Sequence, residues 1–259
     1  MRLFKAHGLG NDYLVLESGQ PLDAALVRAL CDRHRGPGGD GILEPQAPVD
    51  GAYGLRIWNP DGSIAERSGN GLRIFARWLV ETKGAPRSLT IDTGFTRSAC
   101  EVGDDLISVD MGVARLGSAE PIFVGCHTLP AREVHVGNPH VVLRPAGVIP
   151  WPEVGAQVET LPRFPNRTNV QVVDSVVGSN VHIRIWERGA GETSASGSSA
   201  TAVAAAGVAD GWLPAGTVTV HMPGGTLQVV VDSSLAATLI GPVTAVGWFL
   251  TAPEGPDPR

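Results

Sequence analysis

Two short stretches hold the residues best suited to chemistry. "ERSGNGLRIFARWL" (66–79) sets Ser68, Gly69 and Asn70 directly before an apolar run, and "TSASGSSATAVAAAGVA" (193–209) sets Ser196, Gly197 and Ser198 before another. Small polar residues ahead of an apolar helical pattern mark a helix N-terminus. Such an end carries unpaired N–H groups and a partial positive charge, so it is ready to hold an anion. Gly69 and Gly197 would let a ligand approach the backbone closely. Two such ends clamping one carboxylate would set Ser68 and Ser196 on opposite faces of the carbon that bears it. That is the geometry for taking a proton from one side and returning it from the other. Each serine taken alone is equally an ordinary helix cap.

Other motifs bring recognition groups. "HGLGND", "IWNPDGS", "GNPH", "RFPNRTN" and "ERGAGET" place Asn, Glu or Arg beside turn glycines or prolines at strand ends, where clefts form. Asn11, Asn59, Asn138 and Asn169 can each bond a carboxylate or an ammonium, because an amide both donates and accepts; each also suits an ordinary turn. Glu187 beside Arg188 puts an acid and a guanidinium fork in one place, which suits an amino-acid head group.

The elements that must position these groups follow from periodicity. "LFKAHGLGNDYLVLE" is strand-like around a Gly-rich break, "LDAALVRALCDRH" (22–34) has helical spacing, and "YGLRIWNPDGS" (53–63) is a strand ending in a turn. A helix is expected from about 70 to 82, then short strands alternating with turns. The second half repeats this order: strands "TNVQVVDS" and "NVHIRIWERG", the loop "GETSASG", a small-residue helix over about 198–209, and closing strands. The spacing from Ser68 to Ser196 is close to half the length of the chain. The expected architecture is therefore α/β, with two similar halves that each wrap a mixed or antiparallel sheet round a central helix. The halves are placed at 1–115, completed by the terminal segment 245–259, and at 116–244.

Composition excludes several classes. A formal charge of −6 without a Lys/Arg cluster argues against nucleic acid as a partner. No apolar run approaches the ~18 residues that span a bilayer, so no membrane partner is expected, and the opening residues are not expected to act as a signal peptide. Cys31, Cys100 and Cys126 lack metal or disulfide spacing, which points to a reducing, cytoplasmic setting. No metal is expected: His135 and His140, the closest histidine pair, flank a turn rather than sharing a helix face. "SASGS" lacks the first glycine of a serine-hydrolase elbow. A homodimer is compatible with everything above.

Taken together and in order, "FKAHGLGNDYLVLE", "NPDGS", "SGNGLR", "GNPH", "RFPNRTN", "ERGAGET" and "ASGSSA" resemble the diaminopimelate epimerase family of lysine and peptidoglycan biosynthesis, over nearly the whole chain. The resemblance implies two pseudosymmetric α/β domains, an interdomain substrate cleft, a small-molecule amino-acid substrate and no cofactor. It implies that Asn59, Asn138, Asn169, Glu187 and Arg188 hold the distal end of diaminopimelate. Gly69, Asn70, Gly197 and Ser198 would hold the reacting carboxylate, with Asn11 nearby, and His140 and Glu187 would poise the proton-transferring groups. Those groups are cysteines in the family; here they are Ser68 and Ser196. Gly41 also departs, where the family commonly has Gln.

An alcohol is about 4 to 5 pKa units less acidic than a thiol, so forming the base costs roughly 5–7 kcal/mol more, on the order of 10⁴-fold in rate. Three explanations stand: a natural serine-type isomerase using His140 or Glu187 as the working base, an amino-acid binder without turnover, or a variant with both cysteines replaced. The related phenazine-biosynthesis isomerases rely on a carboxylate, so the fold allows the first.

Overall fold

The computed structural model describes residues 1–251. They form two compact units: Met1–Ile107 together with the chain from Pro242 onward, and Ser108–Gly241. These boundaries lie a little before the expected 115/116 and 244/245. Residues 252–259 of the expected terminal segment lie outside the described residues.

The first unit starts with a hairpin, β1 (Arg2–Gly8) and β2 (Asn11–Ser18), turning at Leu9–Gly10, both at positive φ. Helix α1 (Ala24–Cys31) is capped by Asp23, whose side chain accepts the Leu26 N–H at 2.8 Å. It leads to β3 (Ile42–Val49), parallel to β2 through Leu14↔Ile42, and β3 turns back into β4 (Ala52–Trp58). After the short strand β5 (Ile64–Ala65) comes helix α2 (Gly69–Lys83), ended by Gly84 in the left-handed conformation at φ 65°. The hairpin β6 (Ser88–Asp92) and β7 (Arg97–Val102) follows, with β6 parallel to β4. Strand β8 (Leu106–Val113) carries the chain across the unit boundary.

The second unit adds β9 (Arg115–Leu116) and a separate ribbon of β10 (Ile122–Val124) and β11 (His127–Leu129). It then repeats the plan. Hairpin β12 (Ala131–His135) and β13 (Pro139–Leu143) leads through α3 (Glu153–Glu159) to β14 (Asn169–Val177), parallel to β13, and back along β15 (Asn180–Glu187). The short β16 (Gly191–Thr193) precedes α4 (Gly197–Ala209), then the hairpin β17 (Gly216–Met222) and β18 (Gly225–Val231), with β17 parallel to β15. β19 (Ala236–Pro242) pairs with β18, and β20 (Thr244–Leu250) returns to β1 of the first unit.

Each unit is thus hairpin, helix, hairpin, central helix, hairpin, with two parallel joins. The register ties the repeat to the serines. Leu14 pairs with Ile42 in one unit and Val141 with Val170 in the other, and the shift between these pairs nearly equals the shift from Ser68 to Ser196. The two central helices differ in how they are buried. Helix α2 packs against β1, β2, β6 and β7 and keeps Glu81 and Lys83 outward. Helix α4 is buried on all sides from Gly197 to Gly207, and its Ala, Ser, Gly and Thr residues let β12, β13, β14, β17 and β18 close around it. Both α3 and the proline-bearing β3 ("ILEPQAPV") are absent from the sequence reading. The prolines of β3 lie beyond its short parallel join to β2 and so remove no donor from it.

Candidate active site

In the first unit Ser68 caps α2 with extended backbone (φ −142°, ψ 117°), and its Oγ accepts the Gly71 N–H at 3.0 Å. The first helical bond is Leu72 N–H to Ser68 O, 2.9 Å, so the N–H groups of Gly69 and Asn70 are left at the open end. No acidic residue occupies the first turn to neutralise that end. Ser68 has a second donor: the Tyr13 hydroxyl, from a buried residue on β2, at 3.0 Å. Asn70 is buried with its amide locked, Nδ2 donating to Asn11 Oδ1 (2.9 Å) and Oδ1 accepting from Arg73 Nη2 (2.5 Å). Asn70 therefore presents its backbone, not its side chain, at the helix end. Arg73 is fully buried, and burial pulls its guanidinium down to about 10; Nη1 donates to Gly69 O at 3.1 Å. Asn11 in turn donates to Asp40 (3.0 Å). Burial, then the charge of Asp12, pushes the Asp40 carboxyl up. Burial also works against ionised Asp12, but Arg33 and Lys5 outweigh it and hold Asp12 below the usual carboxylate range. Asn59 closes its own Pro-Asp-Gly turn through Ser63 Oγ at 2.9 Å.

In the second unit Ser196 caps α4 with nearly the same backbone (φ −147°, ψ 124°) and again no acid in the first turn. Here Ala200 N–H to Ser196 O (3.0 Å) starts the helix, leaving Gly197 and Ser198 at the open end. The hydroxyl is held more loosely: Ser199 N–H and Ser198 Oγ are both 3.4 Å from Ser196 Oγ. His140 is buried at 2% exposure, and burial takes its imidazole down to about 3. Gln171 Nε2 meets Nδ1 at 3.1 Å and Asn138 Oδ1 meets Nε2 at 2.8 Å. An amide nitrogen only donates, so Nδ1 accepts and Nε2 carries the proton toward Asn138. The same Gln171 Nε2 donates to Ser199 Oγ at 2.9 Å. His140 therefore reaches the α4 cap through Gln171 and Ser199. It does not hydrogen-bond Ser196 directly, as the working base for that hydroxyl would, because the parallel join of β13 to β14 seats its ring beside Gln171.

Glu187 ends β15, Arg188 follows it in the turn, and both are half-buried; Glu187 Oε1 accepts from Thr193 Oγ1 at 2.8 Å. Asn169 joins two of the expected motifs, accepting the Arg188 N–H (3.0 Å) and donating to Pro139 O (2.8 Å). Buried Glu159, from α3, clamps the same turn by accepting Gly189 N–H (2.9 Å) and Trp186 Nε1–H (2.7 Å). Within the first unit, then, the structure gathers Asn11, Asn70 and Ser68, and within the second Asn138, His140, Asn169 and Arg188. Tyr13, Gln171, Ser199 and Glu159 are additions that sequence reasoning missed. Shifting the chain by the spacing from Ser68 to Ser196 would have found Tyr13, since it carries Trp58 onto Trp186 and Tyr13 onto the immediate neighbour of His140. Among the described residues no group of three or more His, Cys, Asp or Glu side chains could hold a metal ion.

Comparison with known proteins places this geometry. The sequence profile of the family described as "Diaminopimelate epimerase" matches residues 3–117 and 133–246. A protein of Nostoc sp. named diaminopimelate epimerase 2 is 37% identical over 94% of this chain and 93% of its own. The diaminopimelate epimerase of Magnetococcus marinus is 36% identical over 98% and 99%. Among solved structures, a hydroxyproline epimerase from Agrobacterium vitis superposes with a TM-score of 0.75 at 16% identity, covering 96% of this chain and 91% of that one. A phenazine biosynthesis protein from Bacillus anthracis does so with a TM-score of 0.72 at 15% identity, over 96% and 98%. These two likenesses concern the fold alone; the sequence matches settle the membership. The chain belongs to the diaminopimelate epimerase family, with serine at both positions that resemblance assigns to the family's cysteines.

Proposed function

We propose that this protein is an isomerase that inverts an α-carbon of LL-diaminopimelate, or of a related amino acid with a second polar end, without a cofactor and by two-base proton transfer. Ser68 serves one face of the carbon and Ser196 the other. The N–H groups of Gly69, Asn70, Gly197 and Ser198 hold the reacting carboxylate, and the partial positive charge of two helix ends stabilises the electron pair left when the proton departs. Arg188 and Glu187 read the distal amino-acid end together with Asn59, Asn138 and Asn169, and Asn169 fixes the turn that carries Arg188.

The observation carrying this reading is the matched pair of caps. Each unit ends its hairpin–helix–hairpin in a serine-capped central helix whose first turn has no acid, inside a chain of the diaminopimelate epimerase family. Three free cysteines, two of them buried, support a reducing cytoplasmic setting, and among the described residues no helix is long and apolar enough to cross a membrane.

The test is to incubate the protein with LL-diaminopimelate in D₂O and follow the α-proton by NMR. Loss of that signal with appearance of the meso form is the expected result. Binding without exchange, persisting after Ser68→Cys with Ser196→Cys in a folded protein, would remove the isomerase reading.

A further inference from the structure

The alcohol of a serine is a poor proton-transfer group, and the first unit contains a device that answers this. Tyr13 Oη donates to Ser68 Oγ at 3.0 Å, and Gly71 N–H donates to the same atom at 3.0 Å. The two bonds occupy both lone pairs of the hydroxyl, so the proton of Ser68 points away from them. Tyr13 reaches this place because residue 41 is glycine. A Cβ at Gly41 would lie 2.7 Å from Tyr13 Cε1 and 2.4 Å from Trp58 O, so any larger residue there would displace the ring.

Internal symmetry makes the contact specific. Tyr13 precedes Leu14, which pairs with Ile42; His140 precedes Val141, which pairs with Val170. Tyr13 thus occupies in the first unit the position of His140 in the second, with Gly41 opposite it as Asn169 is opposite His140. In the second unit polar Gln171 and Ser199 stand between that position and the cap. Their counterparts in the first unit, Leu43 and Gly71, put no polar side chain there, and Tyr13 bonds the capping serine directly.

We propose that Tyr13 is a positioning and relay residue acting through Ser68, the phenol following the serine proton so that charge never rests on an alkoxide. As the α-carbanion takes the Ser68 proton, its electron pair forms the C–H bond. The Ser68 O–H bond breaks, the Tyr13 proton moves onto Ser68 Oγ, and the negative charge ends on the Tyr13 oxygen. In the reverse direction the phenolate takes the Ser68 proton while Ser68 takes the α-proton. The charge then ends on a phenol, a far stronger acid than an alcohol because the ring delocalises the negative charge. Glu66, just before the cap, has a partner of its own, as do other ionisable groups on the neighbouring elements. Lys5, Asp12 and Asp40 belong to one network with Arg33, Glu44 is bonded by Trp58 and Arg56, Arg73 by Asn70 and Gly69, and Arg67 donates to Ser98.

This rests on the isomerase reading above, and the experiment separates the two. The chain has two tyrosines, Tyr13 and Tyr53, so protein labelled with ¹³Cζ-tyrosine reports the Tyr13 phenol directly, with Tyr53→Phe for assignment. Exchange of diaminopimelate α-protons in D₂O is measured against pH from the LL and the meso side. The expected result is that one direction slows and the other speeds with the ionisation of the Tyr13 signal. Tyr13→Phe should lose both limbs and about 10²-fold in rate at unchanged ligand affinity, and Ser68→Ala should shift the Tyr13 titration. Full activity in Tyr13→Phe, or a titration indifferent to Ser68→Ala, overturns the relay while leaving the isomerase intact. A wild type that exchanges nothing also overturns the relay, and exchange restored by Ser68→Cys with Ser196→Cys would then show that the isomerase reading survives it.

Discussion

The two central-helix caps share a backbone conformation and differ in what meets each serine hydroxyl. Ser68 and Ser196 have nearly the same extended dihedral angles, yet Ser68 Oγ receives two bonds of 3.0 Å whereas Ser196 Oγ has only contacts of 3.4 Å. Beside the first stands a phenol in direct contact. Beside the second stands a neutral, buried imidazole that reaches the cap through Gln171 and Ser199. A duplicated scaffold thus supplies two equivalent helix ends, and a few positions on the parallel strands decide how each hydroxyl behaves. The first unit holds its serine tightly; the second leaves it looser in a polar cluster.

Exchanging the serines for cysteines one at a time gives the largest expected effect and the sharpest test of this asymmetry. Ser68→Cys with Ser196→Cys should raise α-proton exchange by up to about 10⁴-fold, following the roughly 4 to 5 unit gap in acidity. Because Tyr13 already assists Ser68, Ser68→Cys alone should gain clearly less than Ser196→Cys alone. Equal gains, read by exchange from the two stereoisomers, would break the comparison.

Next comes the distal end. Glu187 ends β15 and Arg188 follows it, as Asn59 and Pro60 follow β4, and Asn59 is tied to its own turn by Ser63. Arg188→Ala should weaken diaminopimelate binding by about 10- to 100-fold, as expected for a charged hydrogen bond of about 1.5–3 kcal/mol. Asn59→Ala should change it less. Calorimetric titration reads both, and unchanged affinity in Arg188→Ala would remove the substrate assignment.

A smaller effect concerns pH. Burial keeps His140 neutral with its pKa lowered to about 3, below the unfolded value near 6.5. The unfolded chain therefore takes this proton first. The stabilisation is complete above about pH 6.5 and is lost as pH falls toward about 3, with a slope of at most about 1.4 kcal/mol per pH unit. Denaturation midpoints at pH 7 and pH 5 should separate more in the wild type than in His140→Gln, and an equal separation would show that the imidazole is not held neutral.

The smallest effect is on the caps themselves. Ser68→Ala should cost about 1–2 kcal/mol and Ser196→Ala less than about 1 kcal/mol, in line with their bond lengths. Thermal unfolding of the two variants would expose a reversed order.

Much of the site was legible because it depends on local rules. Serine before a helical apolar run marks a cap, and asparagine, glycine and proline mark turns, so Ser68, Ser196, Asn59 and Asn138 were found where strands and helices end. The register of parallel strands is not written in any local pattern. That Gly41 lies opposite Tyr13, or that His140 sits beside Gln171, depends on segments separated by a helix and its loops meeting in one alignment. Glu159 was missed for the same reason: α3 is short, and its carboxylate acquires meaning only by clamping Trp186 and Gly189.

By itself, then, the sequence determined the family, the two-fold repeat and the chemical identity of the two hydroxyls, since these rest on residue types and spacing along the chain. Only the tertiary structure decided which partner each hydroxyl has, because a hydrogen bond is made across space by side chains that sheet register brings within about 3 Å. A serine capped only by its helix and a serine bonded by a buried phenol read alike in one dimension and differ as acids in three.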